Sequence, residues 1–142
     1  MGFYLLKSMQ SNLKMIEYVN LLDKVTTLEH EAAEFGFQWE NTDQLIAQIQ
    51  SECIEISEHL NSSHENKAAL QEEIGDLMHA VFSLCVFCKL DPEETLTKAL
   101  EKFQRRLQAV KAIAREQQLP HLQGKSFDEL MVIWRLAKSR VG

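Results

Sequence analysis

The chain has 142 residues, enough for one domain with its own core, and its composition excludes several classes of protein. Fifteen Lys and Arg stand against 21 Asp and Glu. The net charge of -6 argues against broad binding of a nucleic-acid backbone, although a small phosphate ligand needs only local basic groups or a metal. Five Gly, two Pro and 45% apolar residues argue against disorder and against a β-sandwich. We expect an all-α protein in which residues 1–142 form a single domain.

The cysteines and the apolar runs indicate where the protein works. Three Cys without a disulfide-framework spacing, and a start without the apolar core of a secretory signal, favour a reducing cytoplasmic setting. The most apolar stretch, Ala80 to Leu90, is too short to span a bilayer. We therefore predict a cytoplasmic protein with no membrane partner.

Apolar spacing and capping residues predict a bundle of about five helices in chain order. The predicted helices are Asn12–Phe35, residues 42–60, Ala68–Leu90, residues 92–118 and a last helix beginning after Ser126. Gly36 is placed to end the first helix, and Asp91 before Pro92 is a typical start for the fourth. Residues 1–14 carry no clear pattern and are interpreted as a flexible N-terminal extension.

The later half of the third predicted helix is apolar nearly all round, which places it at the centre of the bundle. Cys85 and Cys88 form a CxxC within it, without a second pair, and we interpret both as buried packing residues. Asp76 with His79 resembles half of a di-iron carboxylate site, but the second half is missing, so His79 is interpreted as a core or partner-facing residue.

Two pairs of acidic residues stand out on the second and third helices. Glu52 and Glu55, and likewise Glu73 and Asp76, are three residues apart and so share one face of a helix. The two helices are separated by a short polar segment, so they should pack as an antiparallel hairpin on which the two pairs meet. Four oxygen donors suit Mg²⁺ or Mn²⁺ better than zinc. The alternative from spacing alone is a solvated acidic face.

Basic residues recur at successive turns of the fourth helix. They are Lys98, Lys102, Arg105 and Arg106. Such a stripe is usually the solvated side of an amphipathic helix, but opposite a metal site it could hold phosphates.

These motifs together resemble the MazG nucleotide pyrophosphohydrolases, most of all their C-terminal type of domain. The segments that carry the resemblance are Gly36–Trp39, Gln50–Glu55, Glu72–Leu77, Asp91–Glu94 and Lys98–Arg106. The likeness spans about Leu21 to Lys138, and the paired ExxE and ExxD motif of the family is matched by Glu52 with Glu55 and Glu73 with Asp76.

The resemblance implies an all-α enzyme that cleaves nucleoside triphosphates between the α and β phosphates, giving a monophosphate and pyrophosphate. It implies that the four acids hold Mg²⁺ and that Lys102 and Arg106 bind phosphates, with Lys98 and Arg105 as weaker matches. It also implies a homodimer or homotetramer whose interface completes the site, and a role in clearing non-standard or excess nucleotides. Trp39 is a candidate for stacking on the base, and Trp134 could do the same, although core packing is the commoner role of such aromatics.

Two positions depart from the family pattern. Ser51 stands where the family often has Glu, and Leu100 where it often has Asn. One alternative is therefore a helical dimerisation module that has kept the fold and lost the chemistry. A di-metal oxidase or storage bundle is a second alternative, but it would need another histidine ligand.

Overall fold

The computed structural model describes residues 20–142, and all of the helices predicted from the sequence have a counterpart there. They are α1 (Leu21–Phe35), α2 (Thr42–Asn61), α3 (Lys67–Phe87), α4 (Pro92–Glu116) and α5 (Phe127–Val141). No strand occurs among the described residues, and the all-α prediction is confirmed. The predicted extension over residues 1–14 and the predicted helical segment before Asn20 lie outside the described part of the chain.

Side-chain caps explain where the helices begin. Asn20, Asn41 and Asn66 have extended backbones, and the side-chain oxygen of each accepts backbone N–H groups of the following turn. The predicted capping box of α5 is present: Ser126 Oγ accepts from Glu129 N, and the Glu129 carboxylate accepts from Ser126 N.

Left-handed residues explain why two helices end earlier than predicted. Lys89 has φ +59°, and the N–H of Leu90 donates back to the Cys85 carbonyl at 2.8 Å, so α3 stops at Phe87 instead of Leu90. Gln118, also at φ +59°, ends α4 at Glu116 in the same way. Neither residue is a glycine, the usual sign of such an ending, so the sequence did not show these stops.

The described chain divides into two compact units, with the boundary within α4 after Thr95. In the first unit α2 packs along α3, and α1 also packs on α3. Leu45 and Ala80 are buried there. In the second unit α4 and α5 bury a cluster made of Ala109, Ile113, Ile133 and Ala137. The prediction that residues 1–142 form a single domain stays a prediction.

The apolar half of α3 is less enclosed than the sequence suggests. Ala80 and Ser83 are buried, but Met78 is 55% exposed and Val81 41% exposed. Cys88 is exposed and caps the helix, and Cys85 is half-buried, so the interpretation of both as buried packing residues is wrong for Cys88. Between Asn20 and Gly142, no helix has the length and apolar character needed to cross a membrane.

Candidate functional site

Three of the four predicted acidic ligands lie together at the contact between α2 and α3. One carboxylate oxygen from each of Glu52, Glu55 and Glu73 lies within 4.8 Å of the other two. Glu52 and Glu55 are one helical turn apart on α2, and Glu73 faces them because α3 packs back along α2. We call these three residues the acid cluster.

Glu52 is the buried member of the acid cluster, with 7% of its surface exposed. Its Oε1 accepts a hydrogen bond of 2.7 Å from Gln48 Nε2, one turn earlier on α2. Its Oε2 is buried and has no hydrogen-bond partner among the described residues. A buried carboxylate oxygen without a partner is costly, and a cation is the partner that would offset that cost.

The electrostatics of Glu73 report the same crowding of negative charge. A hydrogen bond with the Glu55 carboxyl group raises the pKa of Glu73, and burial and the charges of Glu55 and Glu52 act in the same direction. His59 Nε2 lies 3.7 Å from Glu73 Oε1 and partly opposes this rise. The acid cluster therefore fits a divalent cation in donor type and in unbalanced charge.

Asp76, the fourth predicted ligand, is exposed and lies outside the group of three. It lines a cavity of about 690 Å³ that Glu52 also lines. The other polar side chains of this cavity come from α1, α2 and α3 and from the turn after α1. They are Glu29, Gln38, Gln48, His79 and Ser83.

Trp39 is half-buried and forms part of the wall of this cavity together with Phe37. The turn that carries both aromatics follows Gly36, which has φ +96°. The N–H groups of Gly36 and Phe37 donate to the carbonyls of Ala33 and Ala32, closing the end of α1.

The four predicted phosphate-binding residues belong to the second unit. Lys98, Lys102 and Arg105 are exposed on α4. Arg106 is half-buried: its Nε donates to the Gly142 carbonyl at 2.8 Å, and its guanidinium lies 5.6 Å from the centre of the Trp134 ring. Trp134 in turn contacts Phe103, with ring centres 6.1 Å apart. Their proposed contact with phosphates stays a prediction.

Sequence reasoning did not find the roles of several polar residues that lie beside the acid cluster or line the cavity. Gln48 and His59 lie four residues from Glu52 and Glu55 on α2, and this spacing could have revealed them. His79 was interpreted as a core or partner-facing residue. Its side chain is 63% exposed and bonds to Glu29, so the core interpretation is wrong, and the partner-facing one stays a prediction. That contact joins residues 50 positions apart, which no local pattern indicates.

The structure is that of an all-α protein with carboxylates clustered on two adjacent helices. Comparison with known proteins gives its family. The sequence model of one protein family, the MazG nucleotide pyrophosphohydrolase domain, matches residues 40–111, about half of the chain. The chain therefore belongs to the MazG family. The matched segment includes the acid cluster, Asp76 and the four basic residues of α4, but not Trp39 or Glu29.

Curated relatives match over most of this chain. It is 28% identical over 120 residues to a nucleoside triphosphate pyrophosphohydrolase/pyrophosphatase MazG of Thermotoga maritima, covering 84% of this chain and 45% of that protein. It is 26% identical over 117 residues to a nucleoside triphosphate pyrophosphohydrolase of Escherichia coli K12, covering 82% and 44%. A 75-residue match at 33% identity to the uncharacterized protein YabN of Bacillus subtilis covers 53% of this chain and 15% of that one. The chain spans less than half the length of the first two relatives.

Proposed function

We propose that this protein is a metal-dependent nucleoside triphosphate pyrophosphohydrolase that cleaves between the α and β phosphates and releases a nucleoside monophosphate and pyrophosphate. The observation that carries the proposal is the acid cluster, in which Glu52 is buried with an unpartnered oxygen beside two further carboxylates. The names of the relatives from Thermotoga maritima and Escherichia coli support the same reaction.

Glu52, Glu55 and Glu73 would hold Mg²⁺ or Mn²⁺, with Asp76 as a fourth ligand. Such a cation supplies positive charge that offsets the phosphates and lowers the pKa of the water that attacks phosphorus. The buried position of Glu52 and its bond from Gln48 fix one carboxylate before any ligand arrives. This arrangement favours catalysis because little reorganisation is needed when the substrate binds.

The basic residues of α4 would bind the phosphate chain. Lys102 and Arg106 are the main candidates, and Lys98 and Arg105 are secondary ones. Arg can bind phosphate oxygens through two N–H groups, whereas Lys acts as a compact charge. Trp39 would contact the base, because it lines the same cavity as Glu52.

We further propose that the protein acts in the cytoplasm as a homodimer or homotetramer, with a nucleotide as its substrate and no nucleic-acid or membrane partner. Large apolar side chains of α3 support self-association, since Ile74, Met78 and Val81 follow one another at helical spacing and are each at least 41% exposed. The cellular role would be removal of non-standard or excess nucleotides.

The direct test is incubation of the purified chain with Mg²⁺ and each common ribonucleoside and deoxyribonucleoside triphosphate. We expect pyrophosphate as the product. Orthophosphate, or no product from any nucleotide, would contradict the proposal and favour the non-catalytic helical module.

A variant of the acid cluster sharpens this test. Glu73→Gln should lower kcat by about 100-fold or more, because loss of even an outer contact of a metal site costs about 10- to 100-fold. Helix content, measured by circular dichroism, should stay unchanged. The matched control is Glu58→Gln, an exposed glutamate of α2 outside the acid cluster, which should keep full turnover. Normal turnover of Glu73→Gln would remove Glu73 from the site.

A further inference from the structure

A second polar group lies in the cavity that Glu52 and Asp76 line. Glu29 of α1 accepts two hydrogen bonds from α3, one from Ser83 Oγ at 2.6 Å and one with His79 Nε2 at 2.9 Å. Ser83 is buried, and the Glu29 side chain is 20% exposed. Neither the MazG match, which starts at residue 40, nor the acid cluster includes Glu29.

The geometry of this group suits ligand recognition better than nucleophilic catalysis. The Ser83 hydroxyl donates to a carboxylate and not to a ring nitrogen, so this bond does not prepare it for attack. Both bonds end on Glu29 Oε1, which fixes the carboxylate on the cavity wall. Neither of these bonds uses Oε2, and the two lone pairs of that single oxygen can accept from two adjacent N–H donors of a ligand.

The chemistry of a fixed carboxylate limits what it can select. An ionised carboxylate only accepts hydrogen bonds, so it favours a ligand edge with adjacent N–H donors and disfavours an edge with carbonyl oxygens or unprotonated ring nitrogens. Trp39 lines the same cavity and offers a flat apolar surface to a ring. The cavity volume of about 690 Å³ lies within the range of roughly 300 to 1,000 Å³ typical of small-molecule sites.

We propose that Glu29, held by His79 and Ser83, selects guanine nucleotides by accepting hydrogen bonds from the N1–H and 2-amino groups of the base. This inference rests on the proposed function, because it places a nucleotide in the cavity beside Glu52. Among the common bases, guanine alone has two adjacent donors on its pairing edge. Adenine and cytosine have a ring nitrogen acceptor beside their amino group, and uracil has carbonyl oxygens on both sides of its N–H.

Binding can be measured apart from turnover with nucleotides that resist cleavage. The probes are the α,β-methylene analogues of GTP and ATP with Mg²⁺, titrated calorimetrically into the intact chain. We expect the GTP analogue to bind at least about tenfold more tightly, since a hydrogen bond to a charged group gives roughly this discrimination. Because both probes carry the same ribose and phosphates, a preference between them reports on the base.

Glu29→Gln tests the residue itself with little change in size. Its amide presents donors to the base, so the preference for the GTP analogue should fall to about threefold or less. The matched control is Glu31→Gln, an exposed residue of the same helix that does not line the cavity, and it should keep the wild-type preference. Circular dichroism of both variants establishes that the helices are retained.

The outcomes separate this inference from the proposed function. Equal binding of the two analogues by the wild type, or an unchanged preference in Glu29→Gln, would overturn the role of Glu29 even if pyrophosphate is released from every nucleotide. Selective binding of the GTP analogue that is lost in Glu29→Gln would support that role even if no nucleotide is cleaved. In turnover assays, ITP, which lacks the 2-amino group, should have a lower kcat/KM than GTP in the wild type.

Discussion

The strongest support for a cation-binding site comes from a single oxygen atom, Glu52 Oε2. It is buried without a hydrogen-bond partner among the described residues, whereas the other oxygen of the same carboxylate accepts from Gln48. Removal of a carboxylate from water without a partner opposes folding, and two further carboxylates within 4.8 Å add repulsion. The metal-free protein therefore carries an unfavourable interaction at the centre of its α2–α3 hairpin.

This interaction predicts how the protein responds to removal of metal. At 100 times its dissociation constant, Mg²⁺ should increase the free energy of unfolding of the wild type by about 2.7 kcal/mol. The melting temperature should rise accordingly, and EDTA should reverse the rise. Glu52→Gln should lose the response to Mg²⁺ while its melting temperature without metal equals or exceeds that of the wild type. The measurement is thermal unfolding of both proteins with Mg²⁺ and with EDTA. A full Mg²⁺ response in Glu52→Gln would place the cation elsewhere.

At the scale of helices, the sequence predicts order and starting points better than ends. The caps at Asn41 and Asn66 and the capping box at Ser126 are local chemistry, and so the starts of α2, α3 and α5 agree with the sequence to within about a residue. The ends of α3 and α4 depend on the left-handed backbone of Lys89 and Gln118, and neither residue type predicts that conformation. The same contrast holds in the site: i, i+3 spacing predicts that Glu52 and Glu55 lie together, but the Glu29–Ser83 bond joins residues 54 positions apart.

An ion pair between α4 and α5 gives a pH-dependent contribution to stability. Both Arg140 Nη atoms donate to the Glu116 carboxylate at 2.8 Å, and these bonds lower the pKa of Glu116. A carboxylate whose pKa is lower in the folded protein stabilises it above its ordinary value of 4.5, and this contribution disappears as the pH falls through the folded value. The hydrogen bond from the Ser126 N–H lowers the pKa of Glu129, so this group also favours folding as the pH rises. The raised pKa of Glu73 has the opposite effect on the pH dependence of stability.

Because these contributions overlap in pH, the effect of the Glu116 charge is seen as a difference in melting temperature between two proteins. Glu116→Gln should have a lower melting temperature than the wild type at pH 7. This gap in melting temperature should narrow as the pH falls below about 4.5. The gap should be small, since the pair is exposed and screened by solvent. Glu101→Gln, an exposed α4 variant, serves as the control and should track the wild type at every pH. A gap that stays constant down to pH 3 would show that the charge of Glu116 is not its source.

For the molecule as a whole, the distribution of apolar surface predicts association. The α3 stripe of Ile74, Met78 and Val81 lies on the helix that the sequence places at the centre of a bundle, yet these side chains remain between 41% and 55% exposed. A stripe of this kind is typical of a helix that completes its packing against another chain.

Light scattering after size-exclusion chromatography tests this expectation. The wild-type mass should be two or four times 16.4 kDa. Met78→Glu should shift the protein toward the monomer, because a carboxylate would have to enter an apolar interface. The control Gln71→Glu changes an exposed polar residue of the same helix and should leave the mass unaltered. A monomeric wild type would contradict the prediction, as would an unchanged mass for Met78→Glu.

The backbone at Gly36 has a consequence for how this protein can diverge. A β-carbon there would meet no atom within 4 Å, so replacement of the glycine is opposed by left-handed backbone geometry and not by crowding. No repacking of neighbouring side chains could relieve such a conformational cost. A change in nucleotide preference should therefore occur more readily through side chains such as Glu29 than through the turn that positions Phe37 and Trp39.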